Sequence, residues 1–260
     1  MNRLLLIVLI FAGLVTSCVP NKDLIYLQNK NADAKESVIM PVAAKPYRVQ
    51  TNDVLSINIK ALDAKLVEIF SKKTSGDSNT AEGLYFDGFT VDDHGNIRIP
   101  VLGEVNVIGY TLDEIRIKIE KQLLDEYFKK EANIFVSVKL GGFRYTINGE
   151  IASPGTQILF QEKVSIMEAI ANAGDITVTG NRKDITIIRQ YPHGTEIHSI
   201  DLTDVKAMQS PYFYIQPNDY IYVKPLKQKS WGTGTTGVQT LATIFSALSL
   251  ITTIVLLKNL

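Results

Sequence analysis

The four residues Val15-Thr16-Ser17-Cys18 constrain this chain more than any other feature. They come after a positive Arg3 and an apolar run over 4–14 that is too short to span a bilayer by itself. An aliphatic residue, two small ones and a cysteine suit a lipoprotein signal peptidase. Such an enzyme needs small side chains before the bond it cuts and a thiol to carry diacylglycerol. Residues 1–17 are therefore expected to be a signal peptide, with Cys18 the acylated first residue of the mature chain. Cys18 is the only cysteine in the 260 residues, so it has no disulfide partner within the chain. The rest must fold outside the cytoplasm with no covalent staple.

Residues 18–46 continue as a lipidated tether, polar and rich in Asn, Lys and Ala, with Pro20 and Pro41, and are expected to hold little structure. The remainder of the chain is long enough for two small domains with real cores. Lys+Arg and Asp+Glu balance at 27 each, so nothing points to a nucleic-acid partner or a polybasic membrane patch.

The soluble middle reads as two α+β units. In the first, over 47–141, Leu55, Ile57 and Ile59 alternate with Ser56, Asn58 and Lys60, the period of a half-buried strand. Ile134, Val136 and Val138 alternate with Phe135, Ser137 and Lys139 in the same way. Asp92-Asp93-His94-Gly95-Asn96 reads as a tight turn returning into a strand over 97–101. Residues 71–88 are hydrophilic and read as a mobile surface loop. Thr111 and Glu114 are spaced as a capping box, opening a helix with Leu112, Ile115, Ile119 and Leu123 on one face. The second unit, over 142–225, has strands at 143–151, 184–190 and 220–224, with a turn at Ser153-Pro154-Gly155. A second capping box, Ser165 with Glu168, opens its helix, and Gly174 is placed to end it. This order suggests a compact β-grasp-like module.

These residues carry a resemblance. Residues 47–57, YRVQTNDVLSI, and 91–111, VDDHGNIRIPVLGEVNVIGYT, resemble two signatures of the polysaccharide export domain of Wza-type outer-membrane translocons. Residues 143–155, FRYTINGEIASPG, 164–175, VSIMEAIANAGD, and 214–223, YIQPNDYIYV, resemble a soluble-ligand-binding β-grasp (SLBB) domain. The family's usual Gly-Pro-Gly-Asp is here Gln50-Thr51-Asn52-Asp53, and its helix end Ala-Gly-Gly is Ala173-Gly174-Asp175. Asn tolerates the left-handed backbone nearly as glycine does, so the first turn can survive its substitution. The chain holds one β-grasp module where longer relatives hold more, which implies a shorter periplasmic ring.

Residues 238–257 carry no charge over about the length that spans a hydrocarbon core. Residues 226–237 form a linker before them, Gly-rich at its end, and Trp231 could sit at an interface. Gln239, Thr243, Ser246 and Thr253 lie near one stripe, with Leu241, Ile244, Phe245, Leu248, Ile251 and Val255 on the other side. Two readings stand here. Several copies in a ring could line a pore with the polar stripe, or a single membrane anchor could use its small residues for helix packing. The resemblance favours the ring, since relatives form an α-helical outer-membrane barrel.

Enzymatic readings find little. Gly232-Thr233-Gly234-Thr235-Thr236-Gly237 matches a dinucleotide fingerprint but lacks the βαβ unit and the later acidic residue. His193 and His198 flank a turn with no further His or Cys ligand nearby and read as a surface loop. Asp92, Asp93 and His94 read as turn residues. Tyr212, Phe213 and Tyr214 read mainly as core. No catalytic residues, no metal site and no cofactor beyond the lipid on Cys18 are expected, so the chain is read as a non-enzyme. The resemblance implies an outer-membrane lipoprotein with its soluble domains in the periplasm. Its implied partners are further copies of itself, an exported capsule or exopolysaccharide, and a Wzc-like inner-membrane polysaccharide co-polymerase. A carbohydrate-binding or scaffolding envelope lipoprotein without a channel is the alternative.

Overall fold

The computed structural model describes residues 20–30, 46–62, 64–70, 83, 87–128, 133–191, 194–230 and 237–258. The signal peptide, Cys18, His193, Trp231, the glycine-rich run up to 236 and nearly all of the loop expected over 71–88 lie outside these residues.

The first unit holds a three-stranded and a two-stranded antiparallel sheet with a helix. Its elements are β1 (Val54–Lys60), β2 (Phe89–Thr90), β3 (Asn96–Ile99), β4 (Gly103–Asn106), α1 (Leu112–Glu126) and β5 (Phe135–Leu140). β1 runs between β2 and β5, and its alternation holds: Leu55 and Ile59 are buried while Asn58 and Lys60 are exposed. Thr111 caps α1 by accepting from the Glu114 amide, and the Glu114 carboxylate accepts from the Thr111 amide at 2.7 Å. With its start fixed, α1 lays Ile115, Ile119 and Leu123, all fully buried, into the core that Val136 and Val138 share. Each such side chain contributes roughly 1.5–3 kcal/mol by leaving water. The turn at 92–96 is present, with Asp92 Oδ1 accepting from the His94 and Asn96 amides at 2.9 and 2.8 Å. The strand expected over 97–101 follows it as β3, starting one residue earlier and ending at Ile99, and it pairs with β4. Val101, with φ +67°, lies in the bend between those two rather than in a strand.

The second unit comprises β6 (Phe143–Gly149), β7 (Gly155–Leu159), β8 (Val164–Ser165), α2 (Ile166–Asn172), β9 (Gly180–Tyr191), β10 (Gly194–Ile200), β11 (Tyr214–Ile215) and β12 (Tyr220–Pro225). Its large sheet has the order β10-β9-β12-β6-β7. β12 lies parallel to β6 and antiparallel to β9, so the first and last long strands meet at the centre with a hairpin on either side. That is the expected β-grasp arrangement. Gly149 is needed where β6 meets β12: its φ is +94°, and a Cβ there would sit 2.1 Å from the Val223 carbonyl. Ser165 and Glu168 form the second capping box, and α2 buries Ile166, Ala169 and Ile170 against Tyr145, Ile147, Ile185 and Ile221. Gly174, at φ +82°, lies just past the helix end as the sequence suggests.

Two expectations are corrected in this unit. β7 and β10 are additional strands, so His198 belongs to an edge strand and not to a loop. The tether is ordered over residues 20–30, where it docks on the second unit. The helix expected at the C-terminus is observed as α3 (Gly237–Lys258), with described side chains from 242 to 253. Among the described residues no helix is long and apolar enough to cross a membrane. A crossing needs about 20 apolar residues, more than this described stretch supplies.

Candidate functional site

The docked tether starts from a short apolar run, Leu24-Ile25-Tyr26-Leu27, inside an otherwise polar stretch. Leu27 donates its amide to the Leu202 carbonyl and Gln28 to that of Thr203, both at 2.9 Å, and Val205 donates back to Gln28 at 3.1 Å. The Tyr26 hydroxyl donates to Asp175 Oδ1 at 2.5 Å, and the Arg182 guanidinium lies 5.1 Å from the Tyr26 ring centre. Burial, reinforced by the Asp175 bond, pushes the Tyr26 phenol up to about 12. Lys30 closes the strap with an ion pair to Asp201 at 2.9 Å.

The segment that follows β12 is tied to the same unit. Leu226, just after β12, donates its amide to the Thr179 carbonyl at 2.8 Å. Lys229, in the short helix Lys227–Ser230, bonds the Glu150 carboxylate, which also accepts from the Thr177 and Thr179 hydroxyls at 3.0 and 2.5 Å. Burial alone would raise the Glu150 carboxyl. The bonds from Lys229, Thr179 and Thr177 outweigh it and hold the group below its ordinary range.

In α3, Thr243, Ser246 and Thr253 are exposed, and the Gln239 side chain lies outside the described residues. At 3.6 residues per turn these three fall within an arc of about 80°. The stripe is less polar than its composition suggests. Ser246 donates to the Thr243 carbonyl at 2.9 Å and Thr253 to that of Ser249 at 2.8 Å, so both hydroxyl protons are spent on the helix itself. Leu250, 64% exposed, falls in the same arc.

Between the two units, one turn is built twice. In Gln50-Thr51-Asn52-Asp53 and Gln216-Pro217-Asn218-Asp219, the Asp amide donates to the Gln carbonyl at 3.3 and 3.1 Å. The Asp carboxylate in turn accepts from the Gln amide at 2.8 and 2.7 Å. Asn52 and Asn218 take φ +67° and +66°, the left-handed position such a turn requires. The turns also touch, with Asn218 Nδ2 donating to Asp53 Oδ1 at 3.4 Å. Their buried carboxylates are satisfied differently. Asp219 holds a two-pronged ion pair with Arg189 at 2.9 and 2.7 Å, whereas Asp53 accepts from the neutral Tyr47 hydroxyl at 2.6 Å. Burial raises the Asp53 carboxyl above its ordinary range, against the pull of its bonds from Gln50, Tyr47 and Asn218.

Among the described residues no group of three or more His, Cys, Asp or Glu could hold a metal ion. His198 stacks on Tyr212, with ring centres 3.7 Å apart, and its Nε2 lies 3.3 Å from Glu196. Phe213 is buried, while Tyr212 and Tyr214 pack partly buried against the same core.

Two families match along the chain, in order. "Polysaccharide biosynthesis/export protein" covers residues 41–139 and "SLBB domain" covers 144–223. A polysaccharide-export domain is thus followed along the chain by an SLBB domain. The chain is similar to the EPS I polysaccharide export outer membrane protein EpsA of Ralstonia nicotianae. The two are 29% identical over 170 residues, which is 62% of this chain and 42% of the relative. The protein of the same name from Ralstonia solanacearum is 29% identical over 151 residues, 56% of this chain and 40% of the relative. The matched part thus spans about two fifths of these relatives' length.

The export-family signatures coincide with structural joints. Asn52 fills the left-handed turn position as its substitution for glycine requires. The strap contacts of Tyr26, Leu27, Gln28 and Lys30 and the second Gln-x-Asn-Asp turn lie outside the sequence expectations. The apolar quartet at 24–27 and the repeat of the tetrapeptide were the available signals.

Proposed function

We propose that this chain is the outer-membrane component of a capsule or exopolysaccharide export translocon. Lipid on Cys18 fixes each subunit to the membrane, and side-by-side subunits close into a ring. The C-terminal helices line a hydrated path with Gln239, Thr243, Ser246 and Thr253. Passage is passive, energy comes from an inner-membrane co-polymerase, and no catalytic step is involved. The observation that carries this reading is the match of an export domain and then an SLBB domain, in order, over most of the chain. The names of the similar Ralstonia proteins support the substrate class and the membrane. The architecture is compatible, since the tether and the segment after β12 are both tied to the second unit.

A long polar polymer needs a hydrated route through lipid, and hydroxyls supply hydrogen bonds without charges that would trap it. A moderately polar helix also passes the inner membrane during secretion, where a strongly apolar one would be retained. The test is deletion of residues 238–260 together with single cysteines in α3. The truncated protein is expected to fold and carry lipid but to export nothing. Cysteines at Thr243 or Ser246 should react with a water-soluble thiol reagent, and those at Ile244 or Leu248 should not. Labelling of neither face would leave a plain anchor, the reading that Leu250 in the stripe favours. Equal labelling of both faces would mean an unstructured tail. Secretion that survives loss of the whole protein would leave the alternative, a binding or scaffolding lipoprotein.

A further inference from the structure

The side of the β1–β5 sheet turned away from the core has no role in the export reading. Three directly opposed pairs run along it: Ser56 with Lys139, Asn58 with Ser137, and Lys60 with Phe135. These six side chains line a groove of about 260 Å³. Successive pairs are two residues apart on each strand, so the strip measures about 14 Å from first pair to last. Phe135 is 62% exposed although it is the bulkiest side chain there, and its ring is free to be covered. Lys60 and Lys139 sit at opposite ends of the strip, are exposed, and make no ion pair among the described residues. No carboxylate lines the groove. It offers two cations, hydroxyls, an amide and one aromatic plane, and no anion.

We propose that this face binds an anionic polysaccharide strand, with Phe135 stacking on a sugar ring and Lys60 and Lys139 each pairing with a carboxylate of the polymer. The proposal rests on the export reading and adds to it a chemical class of substrate and a place of contact. An aromatic plane covers the apolar face of a pyranose ring, and hydroxyl and amide groups replace water on its edges. A lysine ammonium is a mobile point charge that follows a flexible polymer without demanding one geometry. A second protein suits the strip less well, because the centres of protein interfaces are depleted in lysine and rich in aromatic and aliphatic area. Here a single ring stands among five polar side chains.

The experiment is calorimetric titration of the full-length lipidated protein in mild detergent with oligogalacturonate, and with a neutral cello-oligosaccharide as control. Oligogalacturonate is expected to bind and to weaken as salt rises, and the neutral oligomer to bind at least about tenfold more weakly. Lys60→Gln with Lys139→Gln should weaken oligogalacturonate about tenfold, the loss of two exposed, salt-screened ion pairs. Phe135→Ala should weaken both oligomers, and all variants should melt with the natural protein because the changes are on the surface. Absence of oligogalacturonate binding, or variants that bind as the natural protein does, overturns the proposal. If Phe135→Ala alters the mass of the detergent complex while glycan affinity stays the same, the face is a contact between copies and the proposal fails. Secretion in a strain lacking the protein is read separately. Surface polymer that persists there sinks the export reading, whereas polymer lost there with unchanged titrations sinks only this site.

Discussion

Arg189 and Asp219 are both almost completely buried, and neither can reach water if its partner is removed. Arg189→Met is therefore expected to cost about 3–5 kcal/mol by stranding the Asp219 carboxylate. Adding Asp219→Asn, which keeps an oxygen for the Gln216 amide, should restore much of that loss; chemical denaturation of both variants reads it. Asp53 is the contrasting case, a buried carboxylate with no cation beside it among the described residues. Its folded value lies above its unfolded one, so its protonation favours the fold. That contribution is complete below the unfolded value, about 4, and is lost as pH rises through the raised folded value. Asp53→Asn removes the dependence. The variant should gain stability relative to the natural chain as pH climbs from about 4 towards neutrality, and a constant difference would contradict this. The left-handed turn at Asn52 was legible because a tetrapeptide carries its own geometry. The Asn218–Asp53 bond was not, since it joins residues brought together only by the fold.

Among the elements, legibility tracked burial contrast and caps. β1, β5, α1 and α2 each bury one face, and the helices begin at reciprocal Ser/Thr–Glu caps, so periodicity and end signals agreed. β10 is exposed over most of its length and β7 has no buried residue, which leaves an edge strand without the alternation that reveals it. The strap was hidden for a different reason, because its apolar quartet is short beside the polar residues around it. Its strength can be tested at Leu27, whose φ is +49° and whose amide is bonded to Leu202. Proline can supply neither the angle nor the donor. Leu27→Pro should release the strap at a cost of about 3 kcal/mol or less to the whole, with faster amide exchange at Gln28 and new protease cleavage near residue 30. Unchanged exchange would mean that the side chains, not the backbone bonds, hold it.

For the whole molecule, the decisive quantities are its attachment and its copy number. Cys18→Ser should leave residues 1–17 uncleaved and no diacylglycerol on the protein, which mass spectrometry of the N-terminus reads directly. The natural protein in mild detergent should have the mass of a closed multiple of subunits, because a head-to-tail contact between identical chains ends only on closure or in filaments. A monomer at micromolar concentration would remove the ring. The free edges at β7 and β10 are where such contacts can form without disturbing either core. The strap also sets an order of events in time. Gln28 pairs beside Asp204, so its docking place does not exist until the second unit has been delivered and folded. Closing so long a loop is slow, and until it closes the residues behind Cys18 hang free. An acylating or sorting enzyme would therefore meet an extended N-terminus early in the life of the protein, and a fastened one afterwards.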